Sequence, residues 1–368
     1  MIFSFLKNKL TIIILSLIIL ISVGIGGNVQ VFAANSSIEA KVISQYSDTC
    51  PFDKTQQCKL IDVTIFNSDK TIEKVTVVDN EGYYRFGLND RIWVTKEANG
   101  SYYLQLPNRT DQLLWIVAIF FIVTILFIGK KGIRAIITLV ISTSLIFFVA
   151  IPAMISRPDS FWLIGIVMVF VVMAMNILIG QGFSKNTVIS LAGSVLTVIV
   201  VAAISWLSAN ITKITGLGSE SALFLQSDPI TKSFNLAQIF QIGTLLGISG
   251  AVDDVTNAQA IIVDEQPEEE VKKGLWNIYN RGMRLGSTHI VSMINTLFLA
   301  YLGVGLTTVL LFQTQALADN PLSLILSRDD FSEEILRTIM ASFAVVLAIP
   351  ITTIIAAWVK TRTAKNDN

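Results

Sequence analysis

Seven apolar blocks of membrane length follow one another from Leu113 onward, and they limit the fold more than any other feature. They lie near residues 113–129, 133–152, 161–179, 188–207, 236–258, 288–312 and 336–358. A hydrocarbon core about 30 Å thick takes roughly 20 helical residues to cross. Inside lipid each backbone N–H and C=O must find a partner within the chain, so blocks of this length become helices. Only 15% of the 368 residues are charged, against roughly 25% in soluble domains. The expected fold is therefore an α-helical multi-pass membrane bundle of about seven spans, preceded by an N-terminal signal or anchor helix.

That N-terminal segment, residues 1–33, carries Lys7 and Lys9, an apolar run from Leu10 to Val23, and Val31-Phe-Ala33. It reads either as a signal peptide cleaved after Ala33 or as a retained membrane anchor. Residues 34–110 change character. Ile38–Ile43, Lys59–Phe66 and Glu73–Val78 are β-branched runs with partial alternation. Asp90–Thr95 and Ser101–Leu106 read as a hairpin across Glu97-Ala-Asn-Gly100. Five short strands in so little chain predict a small all-β barrel or sandwich. Cys50 and Cys58 lie in this part with no histidine near them. A disulfide is expected there if the segment is extracytoplasmic. The bundle then occupies 111–360, and 361–368 form a tail.

Lysine and arginine placement orients the spans. Lys130, Lys131, Arg134, Lys185, Lys272, Lys273, Arg281, Arg284, Lys360, Arg362 and Lys365 fall on one side. Arg157, Lys213, Lys232, Arg328 and Arg337 fall on the other. The richer side is expected to be the cytoplasm of a bacterial cell, with the β-domain outside the plasma membrane and the C-terminus inside. Formal net charge is zero and no basic run with interleaved aromatics occurs, so no nucleic-acid partner is expected. Without a nucleotide-binding loop, neither ATP hydrolysis nor a cofactor is expected.

The densest anomaly is Gly243-Thr-Leu-Leu-Gly-Ile-Ser-Gly-Ala-Val-Asp-Asp-Val-Thr-Asn-Ala-Gln-Ala260. Gly243, Gly247 and Ala251 are spaced for close approach of a second helix, and a second copy of the chain is left open as a partner. Packing does not account for the acids. A charge at the bilayer centre costs roughly 2.5–3.5 kcal/mol on insertion scales, so acids kept there mark function by default. Asp253, Thr256, Asn257 and Ala260 share a helical face, with Asp254 adjoining and Gln259 close by. The next span offers His289, the only histidine, followed by Ser292, Asn295 and Thr296. The two stripes together suggest a pathway for a small solute or ion; whether a metal binds is left open. The competing reading makes Asp253 and Asp254 interfacial acids that bind Lys272, Arg281 or Arg284. Asn176, Gln181, Asn186, Gln238 and Gln241 suit hydrogen bonds between helices. Gly247-Ile-Ser-Gly250 with His289 would serve a Ser–His dyad, but the acids beside Ser249 have no place in one, and no enzyme is expected. Glu268–Asn280 reads as a short amphipathic helix on the inner leaflet.

Gly250-Ala-Val-Asp-Asp-Val-Thr-Asn-Ala-Gln-Ala260 and Gly286-Ser-Thr-His-Ile-Val-Ser-Met-Ile-Asn-Thr-Leu-Phe-Leu-Ala-Tyr-Leu-Gly303 resemble the two signature blocks of the YibE/F family of bacterial multi-pass membrane proteins. The resemblance spans about residues 115–360. It implies a permease role and supplies no substrate. The family's second block opens Gly-Arg-Asp-His-Ile; here Ser287 and Thr288 stand at the charged pair, so no ion-pair mechanism carries over. The expected function is transport of a small solute or ion. The alternative is a non-transporting scaffold or sensor whose β-domain binds an envelope partner.

Overall fold

The computed structural model describes residues 37–49, 57–66, 72–79, 87–96, 102–229, 231–312 and 321–366. The signal or anchor segment, Cys50 and the disulfide expected between Cys50 and Cys58 lie outside the described residues. These residues fall into two units, one ending at Phe127 and the other beginning at Ile128.

The first unit is a closed five-stranded barrel. Its strands are β1 (Ser37–Thr49), β2 (Gln57–Phe66), β3 (Ile72–Asp79), β4 (Arg91–Lys96) and β5 (Tyr102–Pro107), ordered β1-β2-β3-β5-β4. Every pairing is antiparallel except β3 with β5. Alternation sends Ile61, Val63 and Ile65 of β2 inward together with Ile92 and Val94 of β4. The register sets Val42 opposite Val63 and Ala40 opposite Ile92, so the small Ala40 sits between larger partners. Closure removes the exposed edges that a short sheet would otherwise present. The predicted β4–β5 hairpin is present, and β5 leads into α1 (Thr110–Ile128).

The second unit is helical. It comprises α2 (Lys130–Ser156), α3 (Pro158–Gly180), α4 (Lys185–Thr212), α5 (Glu220–Ser227), α6 (Leu236–Asp264), α7 (Glu268–Lys272), α8 (Leu275–Val304), α9 (Leu306–Phe312), α10 (Leu322–Leu326) and α11 (Asp329–Asn366). Among the described residues, seven helices are long and apolar enough to cross a membrane: α1, α2, α3, α4, α6, α8 and α11. Ser184 and Asn235 cap α4 and α6 by accepting from Thr187 N and Gln238 N.

The bundle centre is built from α4, α6 and α11, which pack closely on one another. Small side chains allow this: Ala341, Ala344 and Ala348 line α11, and a Cβ on Gly193 of α4 would collide with Thr352 Oγ1. Polar contacts tie the helices together at one end. Asn186 Nδ2 donates to Asp264 Oδ2 at 2.9 Å, Lys185 Nζ to Thr363 at 3.2 Å, and Lys360 Nζ to the carbonyl of Val263 at 3.2 Å. At the opposite end Thr215 donates to Asp329 at 3.0 Å, and Gly218 N to Glu333 at 3.1 Å.

Two expectations change. The amphipathic helix over 268–280 is interrupted: α7 stops at Lys272, Gly274 takes φ 97°, and α8 starts at Leu275. Its stripe turns into the protein, where Val271 and Ile278 are buried with Ala260, Val263 and Ala356. The helix at the sixth apolar block accordingly covers 275–304 instead of 288–312, and it ends at Gly305 before α9.

Candidate functional site

A polar layer lies in the middle of the three-helix centre. Asp253 on α6 is 5% exposed, and Thr256 and Gln259 on the same helix are buried too. Across from them α4 presents Ser190 and Ser194, and α11 presents Thr352 and Thr353, all buried. Each helix contributes because a three- or four-residue spacing keeps these side chains on the packed face.

Thr256 Oγ1 lies 2.9 Å from Ser190 Oγ and 2.7 Å from Ser194 Oγ. Thr256 Oγ1 also reaches the Asp253 carbonyl at 3.2 Å. In each serine–threonine pair either oxygen can be the donor. Ser194 stands next to the Asp253 carboxyl but outside hydrogen-bond geometry, and neither carboxyl oxygen has a partner among the described residues. Thr352 Oγ1 is buried without a partner as well. Gln259 closes the layer on the cytoplasm-facing side of the expected topology: its Nε2 donates to Gly282 O at 3.0 Å and to Thr353 Oγ1 at 2.6 Å. One side chain thus links α6, α8 and α11.

The helix is longer than the sequence blocks indicate, and this moves the acid inward. The eleven residues from Asp253 to Asp264 rise about 16 Å. A span ending near 258 would place the acid only about 8 Å from the helix end. If a 30 Å core is centred on α6, the carboxyl lies roughly 10 Å inside its inner boundary.

The remaining predicted residues separate from this layer. Asp254 points to an exposed face of α6 shared with Gly243, Gly247 and Gly250, and Asn257 is half-buried. Ser292 and Asn295 of α8 are exposed, since Ile290, Met293, Leu297 and Tyr301 form the face that packs inward. The side chain of His289 lies outside the described ones, so its expected pairing with the acids is not described either. Among the described residues no ion pair joins either aspartate to Lys272, Arg281 or Arg284; Arg281 faces Glu270 at 3.6 Å. Asn176 accepts from Ser142 at 3.0 Å, a bond between α2 and α3. Ser249 Oγ donates to its own helix at Leu246 O, 2.7 Å away.

A second polar layer, which the sequence did not signal, lies toward the other end of α11. Arg337 meets Glu334 at 3.3 Å and covers the Phe240 ring, with its guanidinium carbon 5.2 Å from the ring centroid. Glu334 also lines an apolar groove of about 460 Å³ with Phe298, Tyr301, Ile339 and Phe343. On α6 about 18 Å separates Gln241, level with this end, from Asp253. Leu245, Ile248 and Val252 fill the interval with Val198, Val201 and Ala344.

The family model described as YibE/F-like protein matches residues 116–362, a stretch that contains both polar layers and leaves out the barrel. No curated protein and no solved structure matches the chain.

Proposed function

We propose a permease role for this chain, which belongs to the YibE/F-like family. A small solute or ion would engage the Asp253 layer and leave toward the second layer when the apolar interval between them opens. The observation that carries the reading is the Asp253 carboxyl, buried within the polar layer with neither oxygen hydrogen-bonded or ion-paired among the described residues. An unpaired buried carboxyl lowers stability, so its natural use is to meet a partner that comes and goes. Lysine and arginine placement supports a plasma-membrane location with the barrel outside and the C-terminus in the cytoplasm.

The scaffold reading expects a sealed bundle with its acids paired to Arg281 or Arg284. The bundle is closed around Asp253, which agrees with that reading, but the carboxyl is unpaired, which favours transport. The test is uptake into proteoliposomes, screened across ions and small anions, with wild type and Asp253→Asn at matched protein. Solute accumulation in wild type that falls to the empty-liposome level in the variant is expected. Accumulation of no solute by wild type, or equal accumulation by both, would remove the permease reading.

A further inference from the structure

The polar layer also indicates which chemical class it holds. Its donors are all oxygens: one carboxylate and the neutral hydroxyls of Ser194, Thr256 and Thr352. Neither carboxyl oxygen of Asp253 takes a hydrogen bond from these hydroxyls. The next charge along the helix, Asp254, has the same sign. Among the described residues no cationic side chain pairs with Asp253. Hard oxygen donors with a single negative charge suit a hard monovalent cation. A divalent ion would call for more carboxylates, and no group of three or more His, Cys, Asp or Glu side chains occurs among the described residues. A proton occupies one carboxyl oxygen only, whereas a cation bonds to carboxylate and hydroxyl oxygens together. α4 and α11 approach closely beside Ser194, since a Cβ on Gly193 would collide with Thr352 Oγ1. Tightness favours a small dehydrated ion.

We propose that Asp253, Ser194, Thr256 and Thr352 form a binding site for a dehydrated sodium ion. Its service as a coupling ion rests on the permease reading; the binding does not. The test uses the full chain in nanodiscs, with thermal unfolding followed in sodium, lithium, potassium and choline chloride at equal ionic strength, and with radiolabelled sodium binding. Sodium, and lithium to a lesser degree, should raise the unfolding midpoint above that in potassium or choline. Asp253→Asn should abolish both the shift and the bound label. Ser194→Ala and Thr256→Val should each weaken sodium binding on the order of tenfold, and they stand in if the aspartate variant does not fold. Equal midpoints in all four salts, a midpoint that responds to pH alone, or sodium binding untouched by the variants would overturn the site. Uptake that proceeds without sodium, with no label bound, overturns the site and spares the permease. Sodium binding without uptake of any solute does the reverse.

Discussion

Gln259 is where the packing account meets a number. Its amide is 1% exposed and donates to Gly282 O and Thr353 Oγ1, so one residue holds three helices. Gln259→Leu keeps most of the volume and removes both bonds. Thr353 Oγ1 still donates to Ile349 O, and Gly282 O belongs to a helix, so neither partner is stranded. Hydrogen bonds between membrane helices average about 0.6 kcal/mol each, which sets the loss near 1 kcal/mol. Gln259→Ala removes the bonds and leaves a void, and large-to-small changes in cores cost about 2–5 kcal/mol. A 1 kcal/mol change moves the midpoint of a bundle this size by roughly 2–4 °C. The assay is thermal unfolding of the purified full chain in nanodiscs, scanned identically for wild type, both Gln259 variants, Gly286→Ala, and Gln259→Ala combined with Gly286→Ala. The pairing is chosen because a Cβ on Gly286 would collide with Gln259 Oε1. Gly286→Ala alone should destabilise, and the double variant should be more stable than the two losses added, because the new methyl enters the void. If Gln259→Leu loses as much as Gln259→Ala, or the double variant is simply additive, volume does not dominate here and the reasoning fails.

Two further perturbations follow from other parts of the bundle. Gly216 has φ 82°, and a Cβ there would collide with the Leu236 carbonyl, whereas Gly274 has φ 97° with open space around it. Gly216→Ala should therefore cost about 2–5 kcal/mol from strain plus overlap, and Gly274→Ala only about 1–2 kcal/mol from strain, as read from unfolding midpoints. Hydrogen bonds from Lys273 and Asn277 hold the Glu270 carboxyl below its ordinary value. A depressed folded value means that the stabilisation is present above the unfolded value near 4.5 and fades as pH falls through the folded one. Protection from hydrogen exchange at 268–280, taken relative to the intrinsic rate at each pH, should fall at acid pH in wild type and lose that dependence in Glu270→Gln.

The long apolar runs and the alternation of the barrel strands were legible because length and period report directly on lipid and on a half-buried sheet. Helix ends were less so. α6 continues to Asp264, where Lys360 from a distant helix donates to the carbonyls of Val263 and Asp264; local sequence holds no trace of such a partner. The same applies to Leu275–Asn280, whose amphipathic stripe fits a neighbouring helix as well as a lipid surface. Within the candidate site, the acids stood out by charge, and Thr256 and Gln259 by spacing. Ser190 and Ser194, four residues apart on α4, supply two hydroxyls of the layer, but neutral hydroxyls in an apolar block resemble ordinary packing. Ser292 and Asn295 illustrate the opposite error. In lipid an apolar face fits the protein interior and the bilayer alike, so a polar stripe does not reveal which way it turns.

The central claim is that two adjacent acids have different surroundings, one enclosed by α4, α6 and α11 and the other outside that centre. Uptake should be measured side by side for Asp253→Asn and Asp254→Asn at equal reconstituted amounts. The account predicts background uptake for the first and substantial uptake for the second. Full activity in Asp253→Asn, or loss confined to Asp254→Asn, would contradict it.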